Sequence, residues 1–190
     1  RRRGPGPHRR EVQGRGARSE AAAPGARGRD LAATGDHDRA VSAFRRALEP
    51  WRGRPYEALD GWAPGRSEAA RLEELRRAVE EDLLEARLAC GDHRGVATEA
   101  GPLVSEEPLR ERRWAILALA QYRCGRQADA LRALAMARAT LVEQLGIEPS
   151  AELVDLEARI LRQDPELQGP TASPSPSTEC PYKGLAPYDV

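Results

Sequence analysis

Histidine and cysteine recur at matching places in this sequence, and both residue types can bind zinc. His37 and His93 each follow a Gly-Asp pair, and Cys90 and Cys124 each precede a glycine. A zinc site needs several such ligands from different elements to converge on one point. These residues instead occupy equivalent positions of successive repeats, which lie about one repeat apart in a stack. We therefore expect no metal ion.

Motifs of common enzyme classes do not occur in the sequence. A phosphate-binding loop needs Gly-Lys followed by Ser or Thr, and the single lysine, Lys183, stands in Tyr-Lys-Gly-Leu. Neither G-x-S-x-G nor H-E-x-x-H is found. The adjacent carboxylates Glu80, Glu81 and Asp82 lie on a predicted helix, where we interpret them as a solvated face. We expect neither catalysis nor a cofactor.

The segment Leu109–Gln163 predicts three consecutive helices, and the rest of the chain is organised around it. The first helix ends at Gly125 and the second at Gly146, because glycine enters the left-handed region without a Cβ clash. Pro149 opens the third helix. The inner spacing is that of a tetratricopeptide repeat, with large, small and turn residues at Trp114, Ala118, Gly125, Ala130, Leu134 and Ala137.

The same unit recurs upstream. Gly91 lies 34 residues before Gly125, and Gly35 is the turn before that, so all three glycines are predicted to be equivalent turns. The first hairpin covers Asp30–Glu49, and Pro24, Gly25 and Gly28 weaken the start of its first helix.

Two further helices lie between the first hairpin and the last three helices. Ser67 is a candidate N-cap for a helix over Ser67–Cys90, and Asp92 for one over His93–Val104. The first of these carries one apolar stripe, formed by Leu72, Leu75, Val79, Leu83, Ala86 and Cys90.

These elements predict an all-α, tetratricopeptide-like stack of antiparallel helical hairpins with disordered N- and C-terminal tails. About two and a half repeats are present, and the last helix is expected to cap the stack. Aromatic residues make up only 4% of the sequence, and no run of 18 apolar residues occurs. We therefore expect neither a sheet nor a membrane span. Three cysteines, an odd number, suit reduced thiols in the cytoplasm.

The sequence divides into four regions by composition. Residues 1–29 are rich in Arg, Gly, Pro and Ala, and predict a disordered basic arm or an out-of-frame translation of G/C-rich DNA. Residues 30–163 form the helical-repeat domain. Residues 164–180 are a Pro/Ser-rich linker, and residues 181–190 are the truncated start of a following domain.

Residues 30–163 resemble the bacterial transcriptional activator domain of SARP-type (Streptomyces antibiotic regulatory protein) transcription regulators. The resemblance covers about 70% of the chain and rests on three stretches: GDHDRAVSAFRRALEPWRGRPYEAL, EAARLEELRRAVEEDLLEARLACGDH and PLRERRWAILALAQYRCGRQADALRALAMARATLVEQLGIEPSAELVDLEARIL. It implies a winged-helix DNA-binding domain ahead of the module, a dimer and contact with RNA polymerase. In larger members a STAND-type NTPase follows, and CPYKGLAPYDV looks like its opening.

No DNA-reading or ATP-binding residue of that family can be placed on this chain, which we expect to be a fragment of a larger regulator. Its implied partners are the winged-helix and NTPase domains of the parent protein, with DNA bound only through the missing domain. The expected function is regulation of transcription through protein contacts, without a membrane. The candidate contact residues are Trp51, in the aromatic loop Pro50–Arg66, and Arg110, Arg112 and Arg113, whose charge opposes the helix dipole.

Four alternative interpretations remain open on the residues alone. The aromatic rings of the loop also suit the role of capping the open end of the helical core, and the three arginines suit simple solvation. The chain also fits a generic tetratricopeptide adaptor, which would bind peptides in its concave groove. Finally, the arginine-rich arm at residues 1–29 fits salt-dependent, sequence-independent nucleic-acid binding.

Overall fold

The computed structural model describes residues 25–51 and 63–170, with side chains in the second range from residue 66 onward. These parts of the chain contain seven α-helices, one short 3-10 helix and no strand. The helices are α1 (residues 25–33), α2 (His37–Leu48), α3 (Ala63–Ala89), α4 (His93–Glu106), α5 (Glu111–Arg123), α6 (Gln127–Leu145) and α7 (Ala151–Leu161), and the 3-10 turn is Pro165–Leu167. The predicted all-α fold is confirmed for the described residues.

Left-handed glycines form the turns between the paired helices, as predicted. Gly35, Gly91 and Gly125 have φ angles of 81°, 86° and 76°. The first two are each followed by an aspartate that caps the next helix, since the side chains of Asp36 and Asp92 accept hydrogen bonds from main-chain N–H groups three residues on. The three turns are therefore equivalent, and the repeat period read from the sequence holds in the structure.

Small residues lie where the last hairpin's helices approach each other. Ala118 on α5 and Ala130 and Ala137 on α6 are completely buried. Trp114 fills the space beside them at 5% exposure, and its indole N–H donates to the carbonyl of Pro108 over 2.8 Å. The tetratricopeptide spacing thus produces close helix packing with a satisfied aromatic residue.

Helix α3 packs on two sides, although the sequence indicates one apolar stripe. Val79, Leu83 and Ala86 belong to a core cluster with α2. Leu84 and Leu88 belong to a larger cluster built by α4, α5, α6 and α7. The helix therefore joins the two cores of the molecule.

Four predicted boundaries are wrong. Helix α1 includes residues 25–29, which the composition places in the disordered arm, and Gly25 and Gly28 in it are buried. Ser67 lies inside α3 and is not its N-cap. Helix α7 begins at Ala151 with Ser150 as its N-cap, so Pro149 precedes the helix and does not lie in its first turn. The region 164–180 begins with a docked segment, because Leu167 is 5% exposed within the larger core. Residues 1–24, 52–62 and 171–190 lie outside the described residues.

Candidate functional site

Three of the predicted contact residues stand at the beginning of α5. Arg110 is its N-cap and makes no side-chain capping hydrogen bond, and Arg112 and Arg113 lie in the first turn. Positive charge at this end of a helix opposes the helix dipole. The compensating negative charge comes from α3, which carries carboxylates along the side that meets α5.

Arg113 forms the centre of this contact. Its side chain is 3% exposed, and its Nε atom lies 3.2 Å from Oε1 of Glu81, which is also 3% exposed. The Arg113 guanidinium also donates to the carbonyl of Leu103 on α4 over 3.0 Å. A buried ion pair of this kind is tolerated because each charge has additional hydrogen-bonding partners.

Arg110 covers the same carboxylate from the outside. Its Nε and Nη2 atoms donate to the two oxygens of Glu81 at 2.7 and 3.1 Å, a bidentate arrangement. Its Nη1 atom donates to both oxygens of Glu74 at 3.0 and 2.8 Å. The hydrogen bond that Arg110 donates to Glu81 is the largest cause that raises the pKa of Arg110 above its ordinary value. Arg110 therefore stays charged and serves two acids of α3.

Arg112 extends the network toward the N-terminal helix. It donates to both oxygens of Glu85 at 2.8 and 2.7 Å and to Asp82 at 2.7 Å. Asp82 also accepts from Arg29 on α1 at 3.0 Å. The hydrogen bond to Glu85 is the main cause that raises the pKa of Arg112. Helices α1, α3 and α5 are thus joined by one network.

We name this network the arginine–carboxylate cluster; it consists of Arg29, Arg110, Arg112, Arg113, Glu74, Glu81, Asp82 and Glu85. The interpretation of Glu80, Glu81 and Asp82 as a solvated face is wrong, because Glu81 is buried and Asp82 is paired twice. Simple solvation of the three arginines is also wrong. Acids at positions 74, 81 and 85 follow one side of a helix, and this spacing was the signal in the sequence.

Trp51 lies at the edge of the described chain. It is half-buried, and its main-chain N–H donates to the carbonyl of Leu48 over 3.1 Å. The aromatic residues that follow in the loop, Tyr56 and Trp62, lie outside the described residues. The structure therefore brings Trp51 next to the end of α2 and does not bring it into the arginine–carboxylate cluster.

Several large apolar side chains near the C-terminal end of the stack are exposed, and sequence analysis did not single them out. Leu145 is 51% exposed, Ile147 49% and Leu161 61%. Met136, Val142 and Val154, on α6 and α7, are exposed as well. These positions fall outside the tetratricopeptide spacing, which marks only the residues that face into the stack.

His37, His93, Cys90 and Cys124 do not come together as metal ligands in the described residues. In residues 25–51 and 63–170, no group of three or more His, Cys, Asp or Glu side chains is placed to hold an ion. Burial is the main cause that raises the pKa of Cys90, to about 11, so its thiol is protonated at neutral pH. None of the helices described is long and apolar enough to cross a bilayer.

Comparison with known proteins places the helical repeats in one family. The bacterial transcriptional activator domain matches residues 18–161. Regulatory protein DnrI of Streptomyces peucetius is 41% identical over 131 residues, which cover 69% of this chain and 48% of that protein. Regulatory protein AfsR of Streptomyces griseus is 38% identical over 144 residues, which cover 76% of this chain and 15% of that protein.

A solved structure has the same fold. Mycobacterium tuberculosis EmbR, in complex with a low-affinity phosphopeptide, superposes with a TM-score of 0.76 at 32% identity. The superposition covers 80% of this chain and 41% of EmbR. The chain thus spans less than half the length of each of these three relatives.

Proposed function

The chain belongs to the bacterial transcriptional activator domain family, and from this premise we propose that it is the regulatory, protein-interaction module of a bacterial transcription activator. The observation that carries the proposal is the match over residues 18–161, which takes in every α-helix of the described chain. Relatives with at least 37% identity over about 70% of the chain carry the names of regulatory proteins. A cytoplasmic location follows from such a function.

The module works within proteins of very different length. It corresponds to 48% of DnrI and to 15% of AfsR, so the same helical repeats serve both a short and a long regulator. In the parent of this chain we place a winged-helix DNA-binding domain before the module and a STAND-type NTPase after it, beginning in residues 181–190. DNA would then be bound through the first of these domains.

The mechanism we propose is mechanical coupling through protein contacts. The arginine–carboxylate cluster ties α1 to α3 and α5, and the larger core ties α3 to α4 through α7. A contact made at one end of the module would therefore move helices that are packed against the rest of the module. Partners at the two ends, RNA polymerase and a second copy of the regulator are the contacts that this mechanism uses.

The predicted contact residues differ in how well they suit this role. Arg113 is buried and serves the interior. Arg112 keeps 40% of its side chain exposed, and Trp51 is half-buried beside the loop. We retain Arg112 and Trp51 as candidates for direct contact and assign Arg110 and Arg113 to positioning α5 against α3.

A two-hybrid measurement in bacteria tests the proposal. The chain is paired in turn with itself, with the winged-helix domain of a family member and with RNA polymerase subunits. At least one pair is expected to give a signal that Arg112→Glu weakens and the exposed Arg126→Glu does not. Absence of signal from every pair, with the variants folded by circular dichroism, would contradict the proposal and favour a generic adaptor.

A further inference from the structure

Arg123 differs from the other shielded arginines of the described chain. The arginines of residues 25–51 and 63–170 that are not exposed are Arg76, Arg77, Arg87, Arg110, Arg113, Arg123, Arg138 and Arg159. All of them except Arg123 have a carboxylate within 4.0 Å. Among the described residues, Arg123 donates to two main-chain carbonyls alone, from Nε to Leu167 at 2.8 Å and from Nη1 to Leu88 at 3.2 Å.

The Arg123 guanidinium borders an open cleft of about 370 Å³ between the end of α5 and the segment after α7. The cleft is also lined by His93, Tyr122, Gln127 and Gln163, and none of its lining residues is acidic. Its volume is within the range of small-molecule sites. The lining offers several hydrogen-bond donors around one positive charge.

Two residues that line this cleft each have a side-chain nitrogen without a hydrogen-bonding partner among the described residues. The Nη2 atom of Arg123 makes no hydrogen bond to any residue that the structure describes. The Nε2 atom of His93 is buried and likewise has no partner there. Burial lowers the pKa of Arg123, because desolvation disfavours the charged form and no carboxylate of the described residues pairs with it. A bound anion would supply the missing compensation.

We propose that this cleft binds a small organic anion whose carboxylate or phosphate group pairs with Arg123, with His93 and Tyr122 as further polar contacts. The inference rests on the cleft alone and does not depend on the proposed function. The ligand class follows from one cation that pairs with no carboxylate of the described chain, in a polar cleft whose described lining residues include no acid.

The cleft is lined in part by the segment after α7, so a bound ligand would contact that segment. The 3-10 turn Pro165–Leu167 is held by Arg123 through the Leu167 carbonyl. Gly169 packs directly against the same guanidinium, since a Cβ atom there would lie 2.6 Å from Arg123 Cζ. A ligand that binds the Arg123 guanidinium would therefore affect the segment that follows α7.

The alternative is that Arg123 only ties the carbonyls of Leu88 and Leu167 together. Both roles predict lower stability for Arg123→Gln, so stability alone does not distinguish them. Binding of an added anion does, because a purely structural arginine gives no saturable response to one.

The experiment titrates the full chain with inorganic phosphate and, separately, with succinate, at constant ionic strength held with sodium chloride. Side-chain Nε–H signals of arginine and main-chain N–H signals of the residues that line the cleft are followed by nuclear magnetic resonance, and the main-chain signals report binding by Arg123→Gln. The Arg123 signal is expected to shift saturably with at least one probe, and the tighter probe assigns the group as phosphate or carboxylate. Arg123→Gln should weaken binding about ten-fold or more, since a charge-assisted hydrogen bond is lost.

Arg126→Gln is the matched control, because Arg126 is exposed, lies three residues away and pairs with Asp129. It should leave binding unchanged. A response to neither probe in the wild-type chain overturns the proposal whether or not the variants fold. An equal response in Arg123→Gln overturns it as well, since binding then occurs elsewhere.

Discussion

The Nε atom of Arg113 lies 3.2 Å from Oε1 of Glu81, and each side chain is 3% exposed. One residue comes from the first turn of α5 and the other from the middle of α3, 32 positions earlier. The pair therefore fixes two helices that belong to different hairpins. Arg110 shares the same carboxylate, and Nη1 of Arg112 lies 3.6 Å from its Oε2 atom. All three helix-start arginines are therefore paired with Glu81.

Replacing Glu81 with alanine should destabilise the protein by about 3–5 kcal/mol, because buried Arg113 would lose its closest carboxylate and keep only Glu107 at 3.4 Å and Glu80 at 3.9 Å. Urea unfolding followed by circular dichroism measures the change. The control is Glu148→Ala, which removes an ion-pair partner of Arg138. The Glu148 side chain is 73% exposed, so this substitution should lower stability by at most about 1 kcal/mol. Equal effects of the two substitutions would show that Glu81 is not part of a buried network.

The double substitution Glu81→Leu/Arg113→Met should be less damaging than Glu81→Ala, because it removes both buried charges together. The same urea measurement gives the comparison. A double variant that loses as much stability as the two single substitutions combined would mean that the two side chains do not interact.

Substitution by alanine should destabilise the protein at a turn glycine and stabilise it at a glycine inside a helix. Gly125 has φ of 76°, and a methyl group there would meet no atom within 4 Å, so Gly125→Ala should cost about 1–2 kcal/mol through backbone strain alone. Gly101 lies inside α4 with equally open space, so Gly101→Ala should stabilise by about 0.5–1 kcal/mol. Thermal unfolding of both variants measures the signs, and a shared sign would contradict the assigned turn.

Helix α1 should be sensitive to a single methyl group. A Cβ atom on Gly28 would lie 2.5 Å from Cε1 of Phe44, so Gly28→Ala should cost about 1–3 kcal/mol by overpacking. Adding Phe44→Leu should recover part of that loss by making room. Chemical unfolding of the single and double variants provides the measurement. No effect of Gly28→Ala would mean that α1 does not pack on α2 as described.

The Cys90 thiol should ionise at a higher pH than an ordinary cysteine thiol. Burial, with help from the hydrogen bond and charge of Asp38, raises its pKa to about 11 from an ordinary 9.0. An unfolded chain ionises first, so this group's contribution to stability is lost as pH rises from about 9 to about 11. Alkylation by iodoacetamide, read by mass spectrometry for each cysteine, should show a midpoint near 11 for Cys90.

Asp38→Asn tests the cause of that shift, since it removes one carboxylate and leaves the partial burial of the cysteine unchanged. Its alkylation midpoint should be lower than that of the wild-type chain. The urea-unfolded chain serves as the reference near 9.0. A folded wild-type midpoint near the same value would contradict the partly buried environment of Cys90.

The repeat frame is predictable from sequence because it depends on local rules. A glycine one residue past a helix and small residues at fixed offsets are visible without tertiary information, and Gly91, Gly125 and Ala118 lie where that reasoning puts them. The family resemblance, carried by the same stretches, is confirmed by the match over residues 18–161.

The cluster is not predictable in the same way, because its partners are far apart in sequence. Glu81 and Arg113 look like surface residues until two hairpins stack and bury them together. The prediction of a one-sided α3 is wrong for the same reason, since Leu84 and Leu88 face helices that come later in the chain. The prediction of a linker at Leu167 is wrong because Leu167 packs into the larger core, although the residues around it include Pro and Gly. In each case a tertiary contact outweighs a local signal.

The most direct test of the central claim is a domain exchange. The 131-residue segment of DnrI that aligns with this chain is replaced by the corresponding segment of this chain, and transcription from a DnrI-regulated promoter is measured in Streptomyces. Controls delete the segment or replace it with tetratricopeptide repeats of equal length from an unrelated adaptor. The account predicts that the exchange restores transcription well above both controls. A folded, normally expressed chimera that performs no better than the unrelated repeats would contradict a role in transcription activation.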